Sequence, residues 1–160
     1  MTADTQSDAV TFADIQAAAT RISAHAHVTP VLHSRSLDAL TGAELLFKCE
    51  NFQRVGAFKF RGACNAVWSL DETRAANGVV THSSGNHGAA LALAARTRGI
   101  PVHVVVPEGA VRCKVEAIEA YGATLHRCAA TTAAREEAAE AVRQQTGACL
   151  VHPYTNTAVI

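Results

Sequence analysis

From Gly78 to His152 the chain alternates short β-branched runs with Ala-rich amphipathic stretches, and this alternation restricts the possible folds more than any other feature. Gly78–His82 (GVVTH) is an apolar run followed by a Ser/Gly/Asn loop at Ser83–Gly88. Ala89–Thr97 reads as a helix, stopped by Gly99 and Pro101. Val102–Val106 (VHVVV) is a strand ending at Pro107, and Arg112–Tyr121 is a second helix with Gly122 as its cap. Thr124–Arg127 is a third strand, Thr132–Gln145 a third helix without a capping box, and Ala148–His152 (ACLVH) a fourth strand. Strands alternating with helices across short Gly/Pro connectors predict an α/β fold. The expected architecture is three layers, a parallel sheet with flanking helices and right-handed crossovers. Residues 78–152 are expected to form a small α/β, Rossmann-like domain.

The first half is less regular. Thr11-Phe-Ala-Asp14 fits a capping box and predicts a helix running to about His25. Leu32–Arg35 and Glu44–Glu50 (ELLFKCE) are strand candidates, and Arg61–Leu70 reads as a helix after a turn containing Gly56. These pieces supply too few strands for a domain of their own, so residues 1–77 are expected to be part of a larger unit. Residues 153–160 are expected to begin a return into it. The chain stops on an apolar, uncapped run (YTNTAVI), which suggests a truncated chain.

Charge and composition exclude several classes. Fourteen basic and fourteen acidic side chains cancel, so nothing favours a nucleic-acid partner. The N-terminus lacks a basic and apolar leader, and the longest apolar run, Ala89–Ala95, is too short for a membrane span. Five scattered cysteines without a CxxC pair point to reduced thiols and a cytoplasmic location.

Lysine is rare: only Lys48, Lys59 and Lys114 occur. Lys59 lies in Gly56-Ala-Phe-Lys-Phe-Arg-Gly-Ala63 between two phenylalanines. Apolar neighbours and the nearby Arg61 cation both favour a neutral amine able to form a Schiff base. The same residues also suit a lysine that snorkels from a helix start. Ser83-Ser-Gly-Asn-His-Gly88 lies between a strand and a helix N-terminus, where free backbone N–H groups can hold an anion. Gly85 and Gly88 would let backbone approach a ligand closely. An ordinary capped βα turn fits equally well, and neither a dinucleotide fingerprint nor a Walker A loop is present. Eight histidines, among them His25, His27, His33, His82 and His87, show no metal-ligand spacing, so no metal site is expected. Arg135, Glu136, Glu137, Glu140 and Arg143 read as a solvated helix face.

Together, Phe58-Lys-Phe-Arg-Gly-Ala63 and Thr81-His-Ser-Ser-Gly-Asn-His-Gly88 strongly resemble the serine/threonine dehydratase and serine racemase family. Its members are pyridoxal-phosphate enzymes of the tryptophan-synthase-β fold type. FKCENF at Phe47–Phe52, GIPVHVVVP at Gly99–Pro107, KVEAIEAYGAT at Lys114–Thr124 and Val151-His-Pro153 extend the likeness from about Thr29 to Ile160.

The resemblance implies roles residue by residue. Lys59 matches the lysine that forms the Schiff base with pyridoxal 5'-phosphate and moves the Cα proton. Phe58 matches the aromatic beside the cofactor ring, and Asn86 the asparagine on the ring hydroxyl. Ser83, Ser84, Gly85, Asn86 and His87 match the loop receiving the substrate carboxylate. Ser84 also matches the second acid/base of racemases. The implied activity is an L-threonine or L-serine ammonia-lyase giving a 2-oxo acid and ammonia, with serine racemase or 3-hydroxyaspartate dehydratase as alternatives. A non-catalytic ligand-binding fragment is the reading from another class. Ala57 stands where many relatives carry Ser. The family's glycine-rich phosphate cup and the ligands for a divalent cation are expected beyond residue 160. The present chain alone is therefore expected to be inactive, and the complete protein a homodimer acting on a small amino acid.

Overall fold

The computed structural model describes residues 9–160. Residues 1–8, on which the expected absence of a leader partly rests, lie outside the described residues. Among the described residues no helix is long and apolar enough to cross a membrane.

The alternation after Gly78 folds as a four-stranded, all-parallel sheet in the order β5-β4-β3-β6. Its strands are β3 (Val79–Thr81), β4 (Val102–Pro107), β5 (Thr124–Cys128) and β6 (Cys149–Leu150). The connecting helices are α5 (Asn86–Arg98), α6 (Arg112–Ala120) and α7 (Thr132–Thr146). Continuous valine runs are what a strand covered on both faces requires. Val79, Val102, Val104 and Val106 face α5 and Ile118 of α6, whereas Val80 and Val105 face Ala139 and Val142 of α7. The predicted three layers are therefore present.

The first half adds α1 (Phe12–Ile22), whose Thr11/Asp14 capping box forms as expected. It also adds an antiparallel pair, β1 (Val31–Leu32) with β2 (Phe47–Lys48), and α3 (Lys59–Trp68). Phe60, Ala63, Cys64 and Val67 of α3 join the same buried cluster as Ala90, Leu91, Ala94 and Ala95 of α5. Alanines along α5 allow the close helix approach that this packing needs.

Several boundaries differ from expectation. Arg35 opens a helix, α2 (Arg35–Thr41), instead of closing a strand, because the Ser34 hydroxyl accepts from the Leu37 N–H. Glu44–Glu50 shortens to two strand residues because Glu50 begins a 3₁₀ turn, Glu50–Phe52. A short helix, α4 (Glu72–Ala76), capped by Asp71, has too few residues to show periodicity. The loop at Ser83–Gly88 is shorter than expected, since Asn86, His87 and Gly88 already form the first turn of α5.

Candidate active site

The strand order decides where a ligand can sit. From β3 the chain moves through β4 to β5 on one side, then returns as β6 on the other edge of β3. Chain segments diverge at such a reversal and leave a crevice at the carboxyl ends of the strands. Here His82–Gly85 leaves β3 and Val151–Tyr154 leaves β6. Together with Phe58, Lys59 and the openings of α5, α6 and α7 they enclose a cavity of about 470 Å³. That is ample for a small organic ligand.

Lys59 is the first residue of α3. The chain reaches it through Val55 (φ 57°) and Gly56 (φ 69°), both left-handed. A β-branched residue rarely adopts that conformation, so Val55 marks a tightly constrained turn just before the lysine. The buried Phe60 anchors the helix, while Phe58 stays exposed at its N-cap. The Lys59 ammonium donates to the Pro153 carbonyl oxygen at 2.9 Å and lies 5.4 Å from the Phe58 ring centre.

Arg61, expected from the sequence to act as a cation near Lys59, is itself paired with a carboxylate. Its guanidinium forks onto Glu50 at 2.8 and 2.7 Å, and Glu50 also accepts from the Thr29 hydroxyl at 2.6 Å. The Arg61 hydrogen bond is the main cause holding the Glu50 carboxyl down to about 2.

In the same cavity as Lys59, no side chain caps α5. Its first-turn N–H groups have no intrahelical acceptor and lie at the positive end of the helix dipole, a setting that attracts a carboxylate. Ser83 and Ser84 border the same cavity, and Asn86 is exposed at the helix start. Gly88 serves a purpose other than ligand approach. A Cβ there would lie 2.0 Å from the Ser83 carbonyl oxygen, so the loop can fold over the helix only if residue 88 is glycine. Among the described residues nothing lies within 4 Å of a Cβ at Gly85.

Two cations were missed in the sequence. Lys114 and Arg135 line the cavity, although Arg135 reads as part of a solvated face. In a parallel sheet each helix starts beside the carboxyl end of the preceding strand, so the first turns of α5, α6 and α7 share one rim. That rule, applied to the sequence, would have flagged both residues.

Folding also gathers His82, Glu136 and His152, whose ligating atoms lie within 4.8 Å of one another. Spacing in the sequence could not show this set. The Nδ1 of His152 accepts from the Tyr154 and Thr155 N–H groups at 3.4 and 3.2 Å, which puts the proton of the neutral ring on Nε2. Neither ring nitrogen of His152 then offers a free lone pair, and a metal would have to displace that arrangement.

The residues present fit pyridoxal phosphate. Lys59 is a primary amine held at the cavity wall, Phe58 supplies an aromatic face, and Asn86 and the α5 N-terminus supply donors. A family model described as "Pyridoxal-phosphate dependent enzyme" matches residues 22–160. Serine racemase from Arabidopsis thaliana is 52% identical over 160 residues, covering 100% of this chain and 48% of that protein. The beta-hydroxyaspartate dehydratase of Paracoccus denitrificans is 49% identical over 150 residues, covering 94% of this chain and 48% of its own. The crystal structure of serine racemase from Dictyostelium discoideum superposes with a TM-score of 0.90 at 50% identity, covering 94% of this chain and 49% of that one. The chain thus spans about half the length of the curated relatives it matches.

Proposed function

The chain belongs to the pyridoxal-phosphate dependent enzyme family, and from that premise we propose that it supplies the lysine-bearing half of a serine racemase-type enzyme. The observation that carries this reading is the shared cavity, which brings the Lys59 amine, Ser84 and the uncapped α5 N-terminus together. The similarity to serine racemases favours racemisation over the threonine or serine dehydratase activity expected from the motifs.

The residues divide the work. The α5 N–H groups with Ser83 and Asn86 would hold the substrate carboxylate, and Phe58 would offer its aromatic face to the cofactor. Lys59 carries the cofactor and takes the Cα proton. Ser84 returns a proton at Cα from its own side, which inverts the centre. The cofactor, when bound, supplies the electron sink that stabilises negative charge at Cα. Loss of the β-hydroxyl as water, instead of reprotonation, would release an enamine that a water molecule then hydrolyses to a 2-oxo acid and ammonia, the dehydratase outcome.

A second reading, hydroxyaspartate dehydration, is favoured by Lys114 and Arg135. They add two cations to the cavity wall, and a β-carboxylate would pair with them. The complete protein, we infer, is a homodimer working in a reducing compartment, which the five unpaired cysteines support. Residues 1–77 would be the opening part of a large cofactor domain, 78–152 the small domain, and 153–160 the return. Exposed Leu40, Leu46, Phe47 and Phe52 in the first segment offer apolar surface for the second half to cover.

The test is the complete protein supplied with pyridoxal phosphate and L-serine. D-serine formation by chiral chromatography, lost on Lys59→Ala, is the expected result. Ammonia release from hydroxyaspartate without D-serine would favour the second reading, and neither product would overturn both.

A further inference from the structure

We propose that His87 is a positioning residue: its ring, through a bond to the Val151 carbonyl, fixes the segment that holds Lys59. The inference rests on the reading of Lys59 as the reactive amine.

His87 is only 3% exposed, and its Nε2 lies 3.2 Å from the Val151 carbonyl oxygen. A carbonyl only accepts, so Nε2 must carry the ring proton. In the neutral ring Nδ1 is then a bare lone pair, and it is buried with no partner among the described residues. Burial keeps the ring neutral, lowering its pKa to about 4. Its one N–H is therefore committed to Val151 and has no proton left to donate to a carboxylate. The backbone of the loop can still bind the anion. The imidazole performs a different task.

That task follows from Val151–Pro153. The Val151 N–H donates to Val80 at 2.8 Å, so the sheet holds one side of this residue and His87 holds the other. The next turn is fastened by the His152 Nδ1, which accepts from the Tyr154 and Thr155 N–H groups. Pro153, buried between them, has no N–H, and its carbonyl receives the Lys59 ammonium at 2.9 Å. His87 and Lys59 each stand in the first turn of their helices, α5 and α3, which pack together in one core. A rigid strap three residues long thus connects the carboxylate loop to the amine, and His87 is its anchor.

The side-chain amide of glutamine can reach where Nε2 stands, whereas asparagine is one methylene shorter. In the full-length protein, His87→Gln should attach pyridoxal phosphate at Lys59, trapped by borohydride and mapped by peptide mass, within about twofold of the unsubstituted rate. His87→Asn should slow attachment about tenfold, the scale of one lost buried hydrogen bond. Nitrogen-15 NMR of the unsubstituted protein should show a neutral ring with Nδ1 unprotonated across about pH 5–8. Equal behaviour of the two variants, or a ring protonated on Nδ1, overturns the proposal while Lys59 attachment stands. No Lys59 adduct in the unsubstituted protein overturns the Lys59 reading and the proposal with it.

Discussion

The Lys59 ammonium reaches across 94 residues of sequence to the Pro153 carbonyl oxygen, 2.9 Å away. This bond joins the start of α3 to the segment leaving β6, and so sets the amine at the cavity wall. Since the partner is backbone, replacing Lys59 removes one part-buried hydrogen bond and little packing. Lys59→Ala in the complete protein should lower cofactor-dependent turnover by more than about a thousandfold. It should shift the thermal midpoint by only a few degrees, roughly what a net bond of ~1 kcal/mol is worth. Calorimetry beside a turnover assay checks both halves.

Gly88→Ala should destabilise the fold by about 2–3 kcal/mol, because the new methyl meets a carbonyl oxygen that cannot swing away. Gly85→Ala, with open space around its Cβ and a φ of −115°, should cost less than about 1 kcal/mol. Denaturant titration of the pair would expose an error in the loop geometry if both were tolerated equally.

Glu50 ties the 3₁₀ turn to Arg61 on α3, and its pKa drops from 4.5 to about 2 on folding. A depressed carboxyl contributes stability that is fully present above pH 4.5 and lost as pH falls toward 2. Glu50→Gln should therefore cost about 1–2 kcal/mol at neutral pH, after allowing for solvent screening of a partly exposed pair. The difference from the unsubstituted protein should vanish in that acid window. A constant difference at every pH would contradict the assignment.

His87 gives a second window. Burial, with the nearby Lys59 charge adding to it, lowers its pKa from 6.5 to about 4, against the opposing bond to Val151. The unfolded chain then binds more protons than the folded one between these values, so stability falls as pH drops from 6.5 to about 4. His87→Gln carries no titrating group and should flatten that part of the stability–pH curve.

Arg135→Ala should separate the two substrate readings. If a β-carboxylate sits against Arg135, kcat/KM for hydroxyaspartate should fall about a hundredfold or more, with serine changed only a few-fold. Equal losses for both substrates would place Arg135 outside substrate discrimination.

The sequence made some parts legible and not others, for identifiable reasons. The strands and helices from Gly78 onward were readable because valine runs and alanine stripes reflect burial on fixed faces. The Thr11/Asp14 box was readable because a cap is a local hydrogen bond. The Ser34- and Asp71-capped helices were not, since five or seven residues carry too little period. Arg135 was misread because a helix face shows polarity but not which rim of the sheet its first turn joins. Arg61 was misread because its answer, Glu50, lies in a different element.

By itself the sequence determined the layer architecture, the lysine motif and the Ser/Gly/Asn loop at the start of a helix, each written in short-range pattern. Only the tertiary structure decided that these meet in one cavity, that Pro153 receives Lys59, and that His87 turns its proton toward Val151. Those relationships join residues 64 and 94 positions apart. They depend on a carbonyl left over where a strand ends, and no residue type in the sequence announces one.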